Sequence, residues 1–393
     1  MITDTTRKRV QEILQESVEQ GITMGASAAI WQGGKELVYE EAGYADWEQK
    51  KKIKRDTIYR LYSMSKPITA AAAMILMERG KLDFAQPVAD FLPGFANCCV
   101  EKDGKLEPIG SQMTVQHLLN MTSGLTYGDE TTSGGRKILS YIEECVGRLH
   151  TDQSVTTEEF ANQIGTIELA FAPDTSWRYG LSADVLGAVI EKASGMRFGD
   201  FLKEAIFEPL GMEDTDFWVP EEKQDRLVQT YECAGNGTMK LYQGEHLVIS
   251  NRMDRRPTFE SGGAGLVSTL DDYAKFGRML LCGGTWNGVQ VMKKATVDYF
   301  TGGELTPQQQ SVFRMWGGLE GYTYSHLMRI LKSPGSACYL GSKGEYGWDG
   351  WLGCYFANLP EKDATIILMQ QRKDSGTLPM TRKIRNVMLA DLD

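Results

Sequence analysis

The sequence predicts an α/β (α+β) fold: an antiparallel sheet flanked by helices, with a mostly helical unit inserted into the chain between two parts of the sheet. Three observations predict it. Strand and hairpin signals cluster before residue 62, helical periodicity broken by proline and glycine dominates the middle, and strand signals return in the last third. The simplest division puts residues 1–62 and 250–393 in one discontinuous sheet domain and residues 63–249 in a helical domain. An active site is then expected at their interface.

The elements follow in order. Val10, Ile13, Leu14 and Val18 recur at helical spacing and Gly21 stops the run, giving an amphipathic helix. Ala26 to Ile30 and Glu36 to Tyr39, joined through Gln32-Gly33-Gly34-Lys35, form a β-hairpin with glycine turn chemistry. Thr57 to Leu61 is a third strand, and it leads to the apolar, alanine-rich helix around Ala70 to Met77. Pro87, Pro93 and Gly94 then punctuate a stretch of short helices. Glu158 to Ile164, Ala188 to Ala193 and Phe198 to Ile206 are helical. Strand character returns near Tyr231. Ser261-Gly262-Gly263-Ala264-Gly265 lacks the Gly-Lys-Ser/Thr of a phosphate loop, so close backbone packing explains its glycines. A helix from Asp271 to Leu281, capped by Thr269, strands at Trp351 to Leu359 and Ala364 to Met369, and a helix from Met380 to Leu389 complete the chain. The segment from Gly303 to Gly344 has no clear periodicity, and its position suggests the border of a pocket.

Composition excludes several classes of function. The 393 residues are 42% hydrophobic, enough for a substantial core, and carry a formal charge of −10. Apart from Lys50-Lys51-Lys52 no basic block exists, so nucleic acid is not an expected partner. The longest apolar run is too short to cross a bilayer, so no membrane association is expected. The first nine residues are polar where a leader would be apolar, and seven cysteines lack any C-x-x-C spacing. A cytoplasmic setting is expected, with neither metal nor organic cofactor.

The chemistry begins at Ser63. It alone among the serines has a lysine three residues on, Lys66, at the mouth of the alanine-rich helix. That spacing puts hydroxyl and amine on one helix face, and burial of the amine lowers its pKa until it can accept the serine proton. The helix start also offers free N–H groups to an oxyanion. The rival elbow at Gly180-Leu181-Ser182-Ala183-Asp184 lacks its last glycine. The four histidines, His117, His150, His246 and His326, show neither metal spacing nor a triad partner.

Three segments in order resemble the serine β-lactamase and penicillin-recognising superfamily. Ser63-Met64-Ser65-Lys66 resembles its Ser-x-x-Lys motif, Tyr179-Gly180-Leu181 its Tyr-x-Asn, and Trp348-Asp349-Gly350 stands where the family has Lys-Thr-Gly or a variant. Thr122 to Leu125, Tyr179 to Gly187 and Gly263 to Thr269 further resemble the class C branch, which also holds family VIII carboxylesterases, DD-peptidases and D-aminopeptidases. The resemblance implies a β-lactamase/transpeptidase-like fold, and Ser63 as nucleophile with Lys66 and Tyr179 as base. It also implies an oxyanion site of the Ser63 N–H and the N–H of Trp351 on a sheet-edge strand. Two departures point to the esterases. Leu181 replaces the asparagine that bonds a substrate amide, and Trp348 replaces the lysine that pairs a substrate carboxylate. Trp348, Asp349, Gly350 and Leu181 are therefore expected around a small ester or amide, with Asp349 repelling anions. β-Lactamase, DD-peptidase or D-amino-acid amidase activity is the alternative, and a silent ligand-binding member the other.

Overall fold

Ala26, Ala28 and Ile30 face one side of the first strand and Ala29 and Trp31 the other, and all five are buried. A strand buried on both faces belongs in the middle of a covered sheet. The computed structural model, which describes residues 2–234 and 237–392, has it there. β1 (Gly25–Gln32) and β2 (Lys35–Asp46) form the expected hairpin, turned at Gly33 and Gly34 with φ of 57° and 79°, the left-handed pair a two-residue turn requires. A short β3 (Lys51–Lys52) flanks β2. The C-terminal part supplies β4 (Tyr322–Ser325), β5 (Met328–Leu331), β6 (Tyr346–Asp349), β7 (Tyr355–Leu359) and β8 (Ala364–Gln370). Among the described residues these make one antiparallel sheet in the order β4-β5-β6-β7-β8-β1-β2-β3.

Six helices frame the sheet and the site: α1 (Asp4–Glu19), α2 (Ser65–Glu78), α3 (Ser133–Arg148), α4 (Ser182–Ser194), α5 (Leu270–Leu281) and α6 (Pro379–Ala390). α1 and α6 cover one face, where Val10, Leu14, Ile384 and Met388 pack on Ala28, Ile366 and Leu368. Each such aliphatic side chain contributes about 1.5–3 kcal/mol on burial. α5 covers the other face, where Tyr273 meets Phe276 and Phe356. α2 is apolar on every side and buried along its length, as a helix at the centre of a core is. Its four alanines let neighbouring backbone approach, and Pro67 falls in the first turn, where no intrahelical N–H is required.

Several expected elements differ in the structure. Thr57 to Leu61 contributes only Tyr59–Arg60, which pairs with Val267–Ser268 and not with the main sheet. The strand read as Trp351 to Leu359 begins at Tyr355, because Gly350 and Gly353 bend the preceding residues into a turn closed by Gly350 N–H to Cys354 O at 2.8 Å. Phe198 to Ile206 is α-helical to Leu202 and continues as a π turn to Phe207. The unassigned segment holds the helix Pro307–Phe313, capped by Thr306 and Gln309, and the β4–β5 hairpin. Among the described residues no helix is long and apolar enough to cross a membrane.

Candidate active site

The chain reaches α2 through a strained step. Tyr62, fully buried, has φ of 46°, a left-handed conformation unusual for an aromatic residue, and it opens a 3-10 turn over Tyr62–Met64. That step delivers half-buried Ser63 to the helix mouth. One turn on, Lys66 is fully buried and its Nζ lies 3.1 Å from Ser63 Oγ, 3.0 Å from the Tyr127 hydroxyl and 2.7 Å from Gly263 O. Those three partners match a neutral amine: one lone pair for the serine O–H and two N–H groups for the other oxygens. Burial lowers the Lys66 pKa to about 7, against the raising effect of Asp184 and Asp349.

The glycine run supplies one of those partners by close approach. A Cβ on Gly262 would stand 2.3 Å from Ala183 O, and one on Gly263 would stand 2.7 Å from Asp184 Oδ2. Asp184, on α4, is itself buried and accepts from Ser261 Oγ at 2.5 Å and from Gly263 N–H at 3.1 Å. Burial raises its pKa while the nearby Lys66 opposes that rise.

Tyr179 lies on the other side of the amine, its ring centroid 4.6 Å from Lys66 Nζ. Gly180 permits this: a Cβ there would stand 2.5 Å from Leu125 O, so the Tyr179 and Tyr127 loops press together. Burial drives the Tyr179 pKa well up, with partial relief from Ser63 and Trp348, so the group is a neutral phenol. Trp348 Nε1–H donates to the Tyr179 oxygen at 2.9 Å. The indole is thus both apolar wall and hydrogen-bond donor.

Around these groups opens a pocket of about 670 Å³. Ser63, Tyr127, Tyr179, Trp348, Asp349, Gly350 and Trp351 all line it, whereas Leu181 does not. Leu181 is 2% exposed and packs into the core ahead of α4, outside the pocket in which it is expected. Asp349 accepts from the Thr377 hydroxyl. Trp351 stands in the turn after β6, its Nε1 donating to Asp374 at 2.6 Å. β6 is likewise not an edge strand: it lies between β5 and β7, although β5 pairs only with Tyr346 and Gly347. The backbone N–H groups of Ser63 and Trp351 have no acceptor among the described residues.

Four contributors escaped the sequence reading. Tyr127 follows the Thr122 to Leu125 segment, and an aromatic residue beside glycine there is its only signal. Trp316, on the glycine-rich turn after the helix Pro307–Phe313, stands edge-on to Tyr179 at 4.8 Å. His246 stacks on Trp351 at 4.0 Å, and burial lowers its pKa to about 4, which keeps the ring neutral. Asp184 is the fourth. Ser182, in contrast, is fully buried against Ser123 Oγ at 2.8 Å and is no nucleophile. Among the described residues no group of histidine, cysteine or carboxylate side chains is arranged to hold a metal ion.

An antiparallel sheet flanked by helices, with Ser-x-x-Lys at the mouth of a buried central helix, is the β-lactamase/transpeptidase-like fold. The chain belongs to the Beta-lactamase family, whose model matches residues 10–387, and is a serine hydrolase. Protein Rv1367c of Mycobacterium tuberculosis is 28% identical over 373 residues, 92% of this chain and 89% of that protein. Esterase EstB of Burkholderia gladioli is 25% identical over 399 residues, 97% of this chain and 95% of that protein. Among solved structures EstCE1, a hydrolase with promiscuous acyltransferase activity, is similar with a TM-score of 0.80 and 25% identity, covering 98% of each chain.

Proposed function

We propose that the protein hydrolyses small uncharged esters through an acyl-enzyme on Ser63. The observation that carries this reading is the amine of Lys66, buried without an ion-paired carboxylate and 3.1 Å from the Ser63 hydroxyl. With its pKa near 7 it is the resting base, because the phenol of Tyr179 titrates far above neutrality. Ser63 Oγ attacks the ester carbonyl as its proton moves to Lys66 Nζ. The Tyr179 phenol gives its proton to the leaving alcohol and regains one from the Lys66 ammonium, leaving the ester of Ser63 with Lys66 neutral. Water then attacks that ester, its proton passing to Lys66, and Ser63 leaves with a proton returned from the ammonium.

The Ser63 and Trp351 N–H groups, both without an acceptor among the described residues, suit the oxyanion of each step. Tyr127 orients the amine, and Trp348 holds the Tyr179 oxygen. The substrate class follows from the lining. Asp349 and Asp374 are its charged side chains among the described residues, and aromatic rings form much of the rest. Such a pocket disfavours the carboxylates of penicillins and D-alanyl peptides and suits apolar acyl or aryl groups. The seven unpaired cysteines support a reducing compartment.

Fluorophosphonate labelling and turnover of p-nitrophenyl butyrate, nitrocefin and a D-alanyl amide test the proposal. Label is expected on Ser63 and lost in Ser63→Ala, with butyrate hydrolysis falling about 10⁶-fold. A Ser63→Ala protein that keeps its rate refutes the assignment of the nucleophile. Nitrocefin or amide turnover matching that of butyrate refutes the ester preference.

A further inference from the structure

A second cavity, of about 270 Å³, adjoins the active-site pocket, and Leu149, Val155, Phe217, Val248, Met253 and Phe259 supply its apolar walls. Several groups of its polar rim are bonded to one another. Arg255 Nη2 donates to His150 Nδ1 at 2.9 Å, His150 Nε2 meets Glu245 at 2.9 Å, and the Thr258 hydroxyl donates to Val155 O at 2.8 Å. Arg256 is held by Asp200 and Glu260. The surface facing inward is predominantly apolar, in a space larger than the ~150 Å³ apolar void that admits benzene in an engineered protein.

Two elements are common to both spaces. α3 gives Leu139 and Ile142 to the active-site pocket, while Leu149, just past its end, lines the second cavity. At 1.5 Å per residue these lie about 10 Å apart along the helix axis. The other is a turn over residues 246–249. His246 and Leu247 line the active-site pocket, Val248 and Ile249 the second cavity, so a single peptide unit divides them.

That divider is strained. His246 and Ile249 exchange backbone hydrogen bonds of 3.4 and 3.0 Å around Leu247 and Val248, whose φ values are 53° and 61°. Two left-handed residues in succession make the turn for which asparagine and glycine are preferred, and a β-branched valine there is an outlier. Its apolar side chains plug the gap between two apolar spaces, and a chain of the same character can replace them at little cost in burial.

We infer that the second cavity is an extension of the substrate site. It takes the distal part of an unbranched hydrocarbon chain whose ester lies at Ser63, and the turn over residues 246–249 is the partition that yields to it. This rests on the ester reading of Ser63. Such a chain can belong to the acid or to the alcohol, and two substrate pairs separate the sources: p-nitrophenyl decanoate against p-nitrophenyl acetate, and decyl acetate against ethyl acetate.

The experiment measures the ratio of kcat/KM within each pair for the wild-type chain, for Val155→Phe and Ser250→Trp, which fill the cavity from two sides, and for Val248→Gly, which relieves the turn. The filling variants are expected to lower one of the two ratios about tenfold and leave the other alone, and Val248→Gly to raise that same ratio. The ratio that responds identifies the source of the chain. Both ratios unchanged in whichever filling variant folds, with acetate still hydrolysed, overturns the cavity's role and leaves the ester reading standing. Loss of all ester turnover and of fluorophosphonate labelling in the wild-type chain removes both.

Discussion

Lys66 and Arg385 are both shut away from water, and the protein treats them in opposite ways. Arg385, between α6 and the sheet, donates to Glu345 Oε2 at 2.5 Å, to Leu340 O at 2.6 Å and to the Tyr355 hydroxyl at 2.5 Å. Glu345 is held in turn by the Tyr322 hydroxyl at 2.8 Å. Lys66 meets three oxygens that carry no formal charge, while Asp184, near enough to influence it, is bonded instead to Ser261 and Gly263. A buried cation is stabilised where a carboxylate cancels its charge; without one a buried lysine sheds its proton, which a guanidinium does not do. Under the sheet the counterion is present and the result is structure. At the mouth of α2 it is withheld, and the result is a base.

The largest effect that separates the two regions is expected at Lys66. Lys66→Arg makes the charge permanent, and ester turnover should fall about 10³-fold, the loss of a general base. Lys66→Met should lose as much turnover yet gain stability, since a group that must give up its proton on folding is replaced by one that has none. The folded pKa of about 7 lies below the ordinary value of 10.5. Between those values the unfolded chain binds more protons, so wild-type stability rises with pH across this window, and the full penalty is present below about 7. Urea unfolding at pH 6, 8 and 10 should show that slope diminished in Lys66→Met. Parallel stability curves for the two proteins would break the comparison.

Glu345→Gln asks the same question of the other cation. It leaves Arg385 charged, buried and without its anion, and should cost about 3–5 kcal/mol of stability. Turnover per folded molecule should hold, because the pair touches none of the groups around Ser63. Denaturant midpoints combined with fluorophosphonate active-site titration measure both. A loss of turnover without loss of stability would mean that the two regions are coupled.

The two regions also differ in how far the amino-acid order discloses them. Gly33-Gly34 between alternating apolar residues announces the β1–β2 hairpin, and the Ser63 to Lys66 spacing announces a hydroxyl and an amine on one helix face, because both are local. The β4–β5 hairpin turns at His326 and Leu327, with φ of 46° and 62°, and carries no glycine or asparagine to reveal it. Tyr127, Trp316, His246 and Asp184 reach the site only through tertiary packing, and no spacing along the chain encodes their arrival. Leu181 teaches the converse. Its place in a short motif suggested a substrate contact, but it follows Gly180, whose close approach to Leu125 accompanies a side chain turned into the core. Ser63 and Lys66 were therefore legible as a pair, while the uncharged setting that tunes Lys66 was not.

The smallest and most discriminating effect is expected at Asp184. If it were a second base, removing its charge would depress turnover at every pH. Its carboxylate instead acts on Lys66 through its charge, holding the amine's pKa higher than burial alone would leave it. Asp184→Asn keeps an oxygen able to accept from Ser261 and Gly263 and removes the charge. The Lys66 pKa should then drop, so that a larger fraction of the enzyme holds a free amine at mildly acidic pH. The acid limb of kcat/KM for p-nitrophenyl butyrate should move to lower pH, with the plateau above pH 8 changed less than about tenfold, the smaller part of what a general base contributes. A limb that stays in place, or moves upward, would show that the charge on Asp184 does not reach the amine, and the low pKa of Lys66 would then rest on burial alone.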